Sequence, residues 1–336
     1  MPIDSIEEVF EAFSKLKVIV IGDIMLDVYQ HGSVERMSPE NPKIPVFLTS
    51  SEECQLGGAA NVANNIKQLG AEPILIGPIG QDSSGGQLRR LLEAEGISST
   101  TLLECADRKT TIKRRFLANG VQLWRVDTED AFDISLQQSD AILQALQSHW
   151  ASADLLILQD YNKGALTENL ISDVRKLAKD YSVPIAVDPK IKNFLNYHAV
   201  DLFKPNLKEL QTGLGQNSVD VSLESLNNAT EHFMKNRQHK RLMVSLSEHG
   251  IYYNDGSESG ILPADQHQIV DVSGAGDTVL ALAAMCLSLG MSARFSSVIS
   301  NLAAGLVCLE QGVRPIDKSA LYAATKRKNG LMNILS

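Results

Sequence analysis

Asp271-Val272-Ser273-Gly274-Ala275-Gly276-Asp277-Thr278 is the segment of this 336-residue sequence best equipped for chemistry, and it runs straight into an apolar stretch. Its two glycines let the backbone turn tightly and free the amides to converge on one point. A helix starting there adds unpaired N–H groups and the positive end of its dipole. Gly274, Ala275 and Gly276 would then form an anion hole, with the carboxylate of Asp277 beside it in the first turn. A phosphoryl group resting on the amides could pass to a hydroxyl whose proton goes to Asp277. The same residues also read as a glycine-rich loop whose Asp only steadies the helix dipole.

Three further segments could place a ligand. Gly57-Gly58-Ala59-Ala60-Asn61 opens a helix with small residues, which permit close approach, and Asn61 both donates and accepts. Tight helix–sheet packing explains those glycines equally well. Asp23 and Asp27 follow the first strand in Gly22-Asp23-Ile24-Met25-Leu26-Asp27, at the strand edge where open parallel sheets bind ligands. They read as polyol-binding carboxylates or as ordinary turn residues. In Lys204-Pro205-Asn206-Leu207-Lys208-Glu209, Asn206 and Glu209 share a helix face if a helix starts there. They could organise hydrated Mg²⁺, or serve as a helix cap with its first-turn Glu. Gly-x-x-x-x-Gly-Lys-Ser/Thr, a strand-following Gly-x-Gly-x-x-Gly and His-Glu-x-x-His are all missing from the sequence. Dinucleotide oxidoreductase and zinc hydrolase chemistry therefore lose their main support.

The elements that must hold these segments follow from hydropathy. Apolar strands are expected over 18–21, 74–77, 155–158, 185–187, 202–203, 242–245 and 250–253. Helices are expected over 4–16, 58–69, 86–95, 137–148, 168–181 and 223–235, then two small-residue-rich ones over 278–289 and 296–309. Continuous apolar strands alternating with helices predict an α/β fold, a parallel sheet covered on both faces. Two segments break the alternation, 28–50 with Pro39, Pro42 and Pro45, and 110–127 with an Asn119-Gly120 turn signal. Together they predict a small β-sheet that is either surface decoration or a lid over one end of the main sheet. The chain reads as one domain over 1–336 with this appendage.

Composition narrows the function. Lys and Arg total 31 against 40 Asp and Glu, a net charge of −9, which argues against nucleic acid or an anionic membrane as partner. The N-terminal stretch has no secretory pattern, and no apolar run is long enough to span a bilayer. The four cysteines, Cys54, Cys105, Cys286 and Cys308, lack Cys-x-x-Cys or zinc-ligand spacing. A cytoplasmic location with reduced thiols is the expectation.

Taken in order, these motifs resemble the ribokinase/PfkB carbohydrate kinases over about 18–316. Asp271–Thr278 matches the family's most specific motif, and Gly57–Asn61 its N-terminal glycine motif. Within the family the chain is more similar to the branch that phosphorylates O1 of D-glycero-β-D-manno-heptose 7-phosphate in ADP-heptose synthesis. Gly22–Tyr29, Arg36–Pro42, Asp160–Leu166, Val187–Lys190 and Pro205–Glu209 carry that likeness. The resemblance implies a three-layer α/β/α kinase with a β lid, using ATP, Mg²⁺ and K⁺. In many bacteria such a kinase is fused to an adenylyltransferase bearing His-x-Gly-His. That motif is missing from this sequence, so a stand-alone kinase is expected, with a separate adenylyltransferase acting on its product.

Roles follow from the same resemblance. Asp277 would be the base beside the Gly274, Ala275 and Gly276 anion hole. The sugar would be held by Asp23, Asp27, Gly57, Gly58, Asn61, Lys113, Arg125, Asp160 and Lys163. The nucleotide would meet Asp188, Lys190, Asn206, Glu209, Ser245, Glu248, Gly250 and Asn301. Asn206 and Glu209 would hold Mg²⁺ through water, and Asp271 and Ser273 would frame a monovalent-cation site. The chain departs from the family at Ser245-Leu246-Ser247, where many members have Thr-x-Gly and the heptose branch often has a basic residue at Leu246.

A phosphorylated acceptor needs a cationic cradle. Arg36, Lys113, Arg114, Arg125, Lys163, Lys190 and Lys192 are candidates, and consecutive Lys113, Arg114 and Arg115 alternate faces on a strand. Singly, each also reads as a solvated surface charge. A kinase for another sugar such as fructose, ribose or a hexose phosphate, and a non-catalytic sugar-binding regulator, remain the competing functions. Unpaired edges on a protruding sheet predict a homodimer through the lid.

Overall fold

The computed structural model describes residues 3–216, 218–264, 269–328 and 330–334. Strand Lys17–Gly22 shows how the sequence builds the main sheet. Val18 and Val20 enter one apolar cluster while Ile19 and Ile21 enter another on the opposite face. Such two-sided burial is what a continuous β-branched run encodes. Six strands pair in parallel, in the spatial order Arg241–Ser245, Leu202–Phe203, Ile185–Asp188, Leu155–Gln159, Lys17–Gly22 and Glu72–Ile76. Ile251–Asn254 and Ser259–Leu262 extend one edge antiparallel, making eight strands. The layers are α/β/α. Helices Ile6–Phe13, Ala59–Gln68, Ala275–Ser288 and Ala293–Val307 pack on one face, and Leu136–Leu146, Glu168–Asp180 and Leu223–Arg237 on the other.

After Lys17–Gly22 the chain first pairs on one side, with Glu72–Ile76, and later on the other, with Leu155–Gln159. The strand order therefore reverses beside Gly22 and Gln159, which are register partners. Crevices at the carboxyl ends of strands form at such reversals.

The second sheet has four strands in the order Pro45–Gly58, Ile24–Met37, Thr111–Ala118 and Val121–Thr128. It is larger than the broken pieces expected over 28–50. Pro39 and Pro42 fall in the turn and Pro45 starts its strand, so none interrupts the ladder. Burial runs along the strands. Ile24–Tyr29 and Leu56–Gly58 are buried at the main sheet, whereas the far ends are exposed. Asn119 and Gly120 have φ of 52° and 80° and join Ala118 directly to Val121, as their turn signal required. Helix Leu207–Leu214 was anticipated only as a possible start at Asn206, and helix Lys318–Arg327, strand Ser259–Leu262 and the short Pro78–Gly80 and Leu103–Cys105 pair were not anticipated as elements. The strands among them, three or four residues long, are too short for their periodicity to stand out.

Candidate active site

Gly274 is the N-cap of Ala275–Ser288 with φ of 82°, a left-handed conformation that glycine adopts without strain. No side chain caps this helix. Ala275 N–H donates to Val272 O at 3.3 Å, so this amide turns away from the expected anion hole. The amides of Gly276 and Asp277 meet no acceptor among the described residues and take its place. Gly276 faces the ammonium of Lys204, which is 2% exposed and paired with Asp188 at 2.8 Å.

Asp277 is 4% exposed. Asn61 Nδ2 donates to its Oδ2 at 2.8 Å, while Tyr161 Oη at 2.8 Å and Gln159 Nε2 at 3.2 Å donate to Oδ1. Burial pushes its pKa up to about 6, against the pull of the Asn61 and Tyr161 hydrogen bonds. A carboxylate near neutrality, ionised and buried beside unpaired amides, is equipped to take a hydroxyl proton. The buried Gln159 Oε1 has no partner and adds an acceptor at the same spot.

Several expected ligand contacts are turned inward instead. Asp23, 2% exposed, accepts the N–H groups of Tyr161, Lys163 and Ala165 at 2.7–3.0 Å and so anchors the 161–165 loop. Burial and the neighbouring Asp160 raise its pKa to about 6. Asp160 accepts from Asn162 N–H, Asn193 Nδ2 and Tyr197 Oη. Both carboxylates bond to the loop that follows Leu155–Gln159. Asp27 is paired with the guanidinium of Arg115, which the sequence had not singled out as a site residue. Gly57 and Gly58 allow close approach of the chain to itself. A Cβ on Gly57 would lie 2.0 Å from Asp27 Oδ2, and one on Gly58 2.5 Å from Asp23 O.

Asn206 and Glu209 form a reciprocal capping box for Leu207–Leu214, at 2.8 Å in each direction. Glu209 also binds the Lys190 ammonium. With these oxygens engaged, the pair would hold Mg²⁺ only through intervening waters. Both Asp271 oxygens accept amides, from Ser273 at 2.9 Å and Gly312 at 3.0 Å, so a cation there would rest on backbone carbonyls of 271–273. Among the described residues no cluster of three His, Cys, Asp or Glu could hold a metal. Ser245 ends its strand beside Asn206, its hydroxyl buried and unpartnered. Glu248 is exposed on the next turn, and Gly250, with φ of 93°, passes against Leu262 O. Asn301 donates one N–H of its amide to Pro263 O at 2.7 Å and so tethers that segment.

The second sheet brings cations to the site. Lys113 and Arg115 face the same way as Arg125 and Asp127, their cross-strand partners, and Arg114 faces the other. Arg114, Arg125, Lys163, Lys190 and Lys192 are paired with Glu52, Asp127, Glu129, Glu209 and Asp133. Lys113 has no ion-pair partner among the described residues, and its ammonium lies 4.7 Å from the Tyr161 ring centroid. Burial holds its pKa down despite the charges of Asp27 and Asp277. Arg36 is exposed on the outer part of its strand. Gln159, Tyr161, Lys204 and Arg115 were not singled out as site residues, and they come from three strands: Gln159 ends Leu155–Gln159 with Tyr161 just beyond it, Lys204 follows Leu202–Phe203, and Arg115 lies on Thr111–Ala118.

The pfkB family carbohydrate kinase pattern matches residues 15–319. Bifunctional protein HldE of Caulobacter vibrioides is 36% identical over 330 residues, covering 97% of this chain and 67% of that protein. Bifunctional protein HldE of Syntrophotalea carbinolica is 34% identical over 95% of this chain and 65% of its own length, so the chain spans about two-thirds of these relatives. Phosphofructokinase-2 from Escherichia coli in complex with potassium superposes with a TM-score of 0.78 at 19% identity, over 93% of this chain and 99% of that one. Arabidopsis thaliana ribokinase complexed with ribose and ATP gives 0.68 at 20% identity, over 91% and 97%. Among the described residues no helix is long and apolar enough to cross a membrane.

Proposed function

Because the chain belongs to the pfkB family of carbohydrate kinases, we propose that it transfers the γ-phosphoryl group of ATP to O1 of D-glycero-β-D-manno-heptose 7-phosphate. That it is a phosphotransferase with an alcohol acceptor follows from the family. The observation that carries the mechanism is Asp277, buried and held by three donors next to the free amides of Gly276 and Asp277. The acceptor oxygen bonds to the γ-phosphorus as its proton passes to Asp277. The bond from that phosphorus to the β–γ bridging oxygen breaks, and ADP leaves with the electron pair. The Gly276 and Asp277 amides and Lys204 offset charge on the transferring group. Asn206 and Glu209 would hold Mg²⁺ through water, and the ion when bound would neutralise phosphate charge. K⁺ would rest on the 271–273 carbonyls.

The phosphorylated acceptor is supported by Lys113. It is a half-buried ammonium without a carboxylate partner, on the face of the second sheet that overlooks Asp277. The heptose itself is supported by the sequence likeness to that branch and by the HldE-named relatives. The product would be a substrate for an adenylyltransferase. Val34, Val121 and Val126 are exposed on the face of the second sheet that carries Phe47, Phe116 and Trp124, and we assign that surface to a second copy of the chain.

The deciding experiment is ATP-dependent phosphorylation, with Mg²⁺ and K⁺, of heptose 7-phosphate, fructose, fructose 6-phosphate and ribose, read as ADP release. The heptose phosphate should give the highest kcat/KM. Preference for another sugar would discard the heptose and keep the base and anion hole. ATP binding without turnover on any sugar would point to a regulator.

A further inference from the structure

Tyr161 follows strand Leu155–Gln159 on the loop that Asp23 anchors, and it belongs to no part of the transfer step above. Its hydroxyl donates to Asp277 Oδ1 at 2.8 Å. Two ammonium groups lie over its ring, Lys113 from the second sheet at 4.7 Å from the centroid and Lys190 from the main sheet at 5.2 Å. Cation–π attraction of this kind holds a ring in place between elements that could otherwise move apart. Burial and then the charge of Asp277 raise the phenol pKa well above its usual value, so Tyr161 stays a donor at working pH. Asn61 occupies Oδ2. Oδ1 accepts both Tyr161 Oη and, at 3.2 Å, Gln159 Nε2; Gln159 ends a strand of the main sheet, whereas Tyr161 stands on a loop and is the donor that an acceptor hydroxyl would replace.

We propose that Tyr161 is a positioning residue that guards the base: it holds Oδ1 of Asp277 until the acceptor sugar's hydroxyl replaces it, and so restrains transfer of the phosphoryl group to water. Water is small and reaches any base that a sugar reaches, so a kinase needs such a restraint. The phenol keeps its proton throughout. In the productive step the acceptor O–H proton goes to Oδ1. In the wasteful step a water proton would go there, with phosphate and ADP as products. The two lysines tie the guard to the placement of both sheets, so the occupant of the Lys113 face influences whether the phenol stays or yields. This inference rests on Asp277 being the base.

The test is Tyr161→Phe, which keeps the ring and its lysine contacts and removes only the hydroxyl. ADP release is measured with and without acceptor, alongside the pH profile of kcat/KM. The ratio of acceptor-independent to acceptor-dependent ADP release should rise about tenfold, the scale of one hydrogen bond to a charged group. The charges facing Asp277 are Lys113, Lys190, Lys204 and Asp188, and none of them changes. Loss of one donor to the ionised form should then move the acidic limb of the profile upward by about one pH unit. A tyrosine that only holds Asp277 in place would move the limb and leave the ratio unchanged, so a ratio that stays put overturns the proposal. Asp277→Asn is run in parallel. Full turnover by that variant would overturn the base itself, whereas its inactivity with an unaltered Tyr161→Phe would remove only the guard.

Discussion

Asn61 Nδ2 donates to Asp277 Oδ2 at 2.8 Å across 216 residues of chain, so the two glycine motifs meet in a single hydrogen bond. Asn61 is itself oriented, with Asn65 Nδ2 donating to its carbonyl and its side-chain oxygen. Asn61→Asp would set a second carboxylate against Asp277. Like charge disfavours ionisation, so the limb near pH 6 should climb above 7, and turnover at pH 7 should fall about tenfold or more and recover toward pH 9. A pH–rate profile matching the parent enzyme would show that the contact does not tune the base.

Asp277→Asn keeps the shape and removes the basic oxygen. Turnover should drop by about 10²–10⁴-fold, the usual worth of a general base, with ATP affinity by calorimetry little changed. In the parent enzyme activity should be lost as pH falls through about 6, because the raised pKa of Asp277 protonates the base there. Near-normal kcat in the variant would refute the assignment.

Lys113→Met removes the unpaired ammonium facing the site. KM for a phosphorylated acceptor should rise roughly 10–100-fold, the scale of a charge-assisted contact. KM for ATP should hold. Equal losses for phosphorylated and unphosphorylated sugars would mean that Lys113 does not read the phosphate.

Gly274→Ala forces a side chain onto φ of 82°, with its Cβ 2.9 Å from Asn61 Nδ2 and 3.0 Å from Val313 Cγ1. A stability loss of about 1–3 kcal/mol in denaturant melts is expected from the backbone strain and the crowding. Turnover should fall with it, since Asn61 must shift. An alanine variant as stable and active as the parent would contradict this account of the turn.

Val126 is 48% exposed on the outer strand of the second sheet. If that sheet is the contact between two copies, sedimentation should give a dimer, and Val126→Glu should yield a monomer with its helix content intact. A parent enzyme that is already monomeric at micromolar concentration would rule out this interface.

Local chemistry explains what was legible in advance. The Asp271–Thr278 turn, the individual apolar strand runs and the Asn119-Gly120 hairpin each depend on residues within a few positions of one another. The Asn206–Glu209 box was legible too, though whether it caps or binds was left open until its atoms were seen to bond reciprocally.

What the sequence by itself determined is the parallel α/β frame, the glycine-opened helix and the acid at its start. Those rest on periodicity, backbone freedom and dipole, all of which act over one or two turns. The tertiary structure alone decided which groups each carboxylate bonds to. Asp23 and Asp27 stand four residues apart in one motif, yet Asp23 turns to three loop amides and Asp27 to Arg115. Pairing between strands, more than a hundred residues apart, sets that choice, as it sets Gln159 and Tyr161 on Asp277. A buried charge takes whatever donors the neighbouring strand ends present, and strand order is fixed by the packing of the whole core.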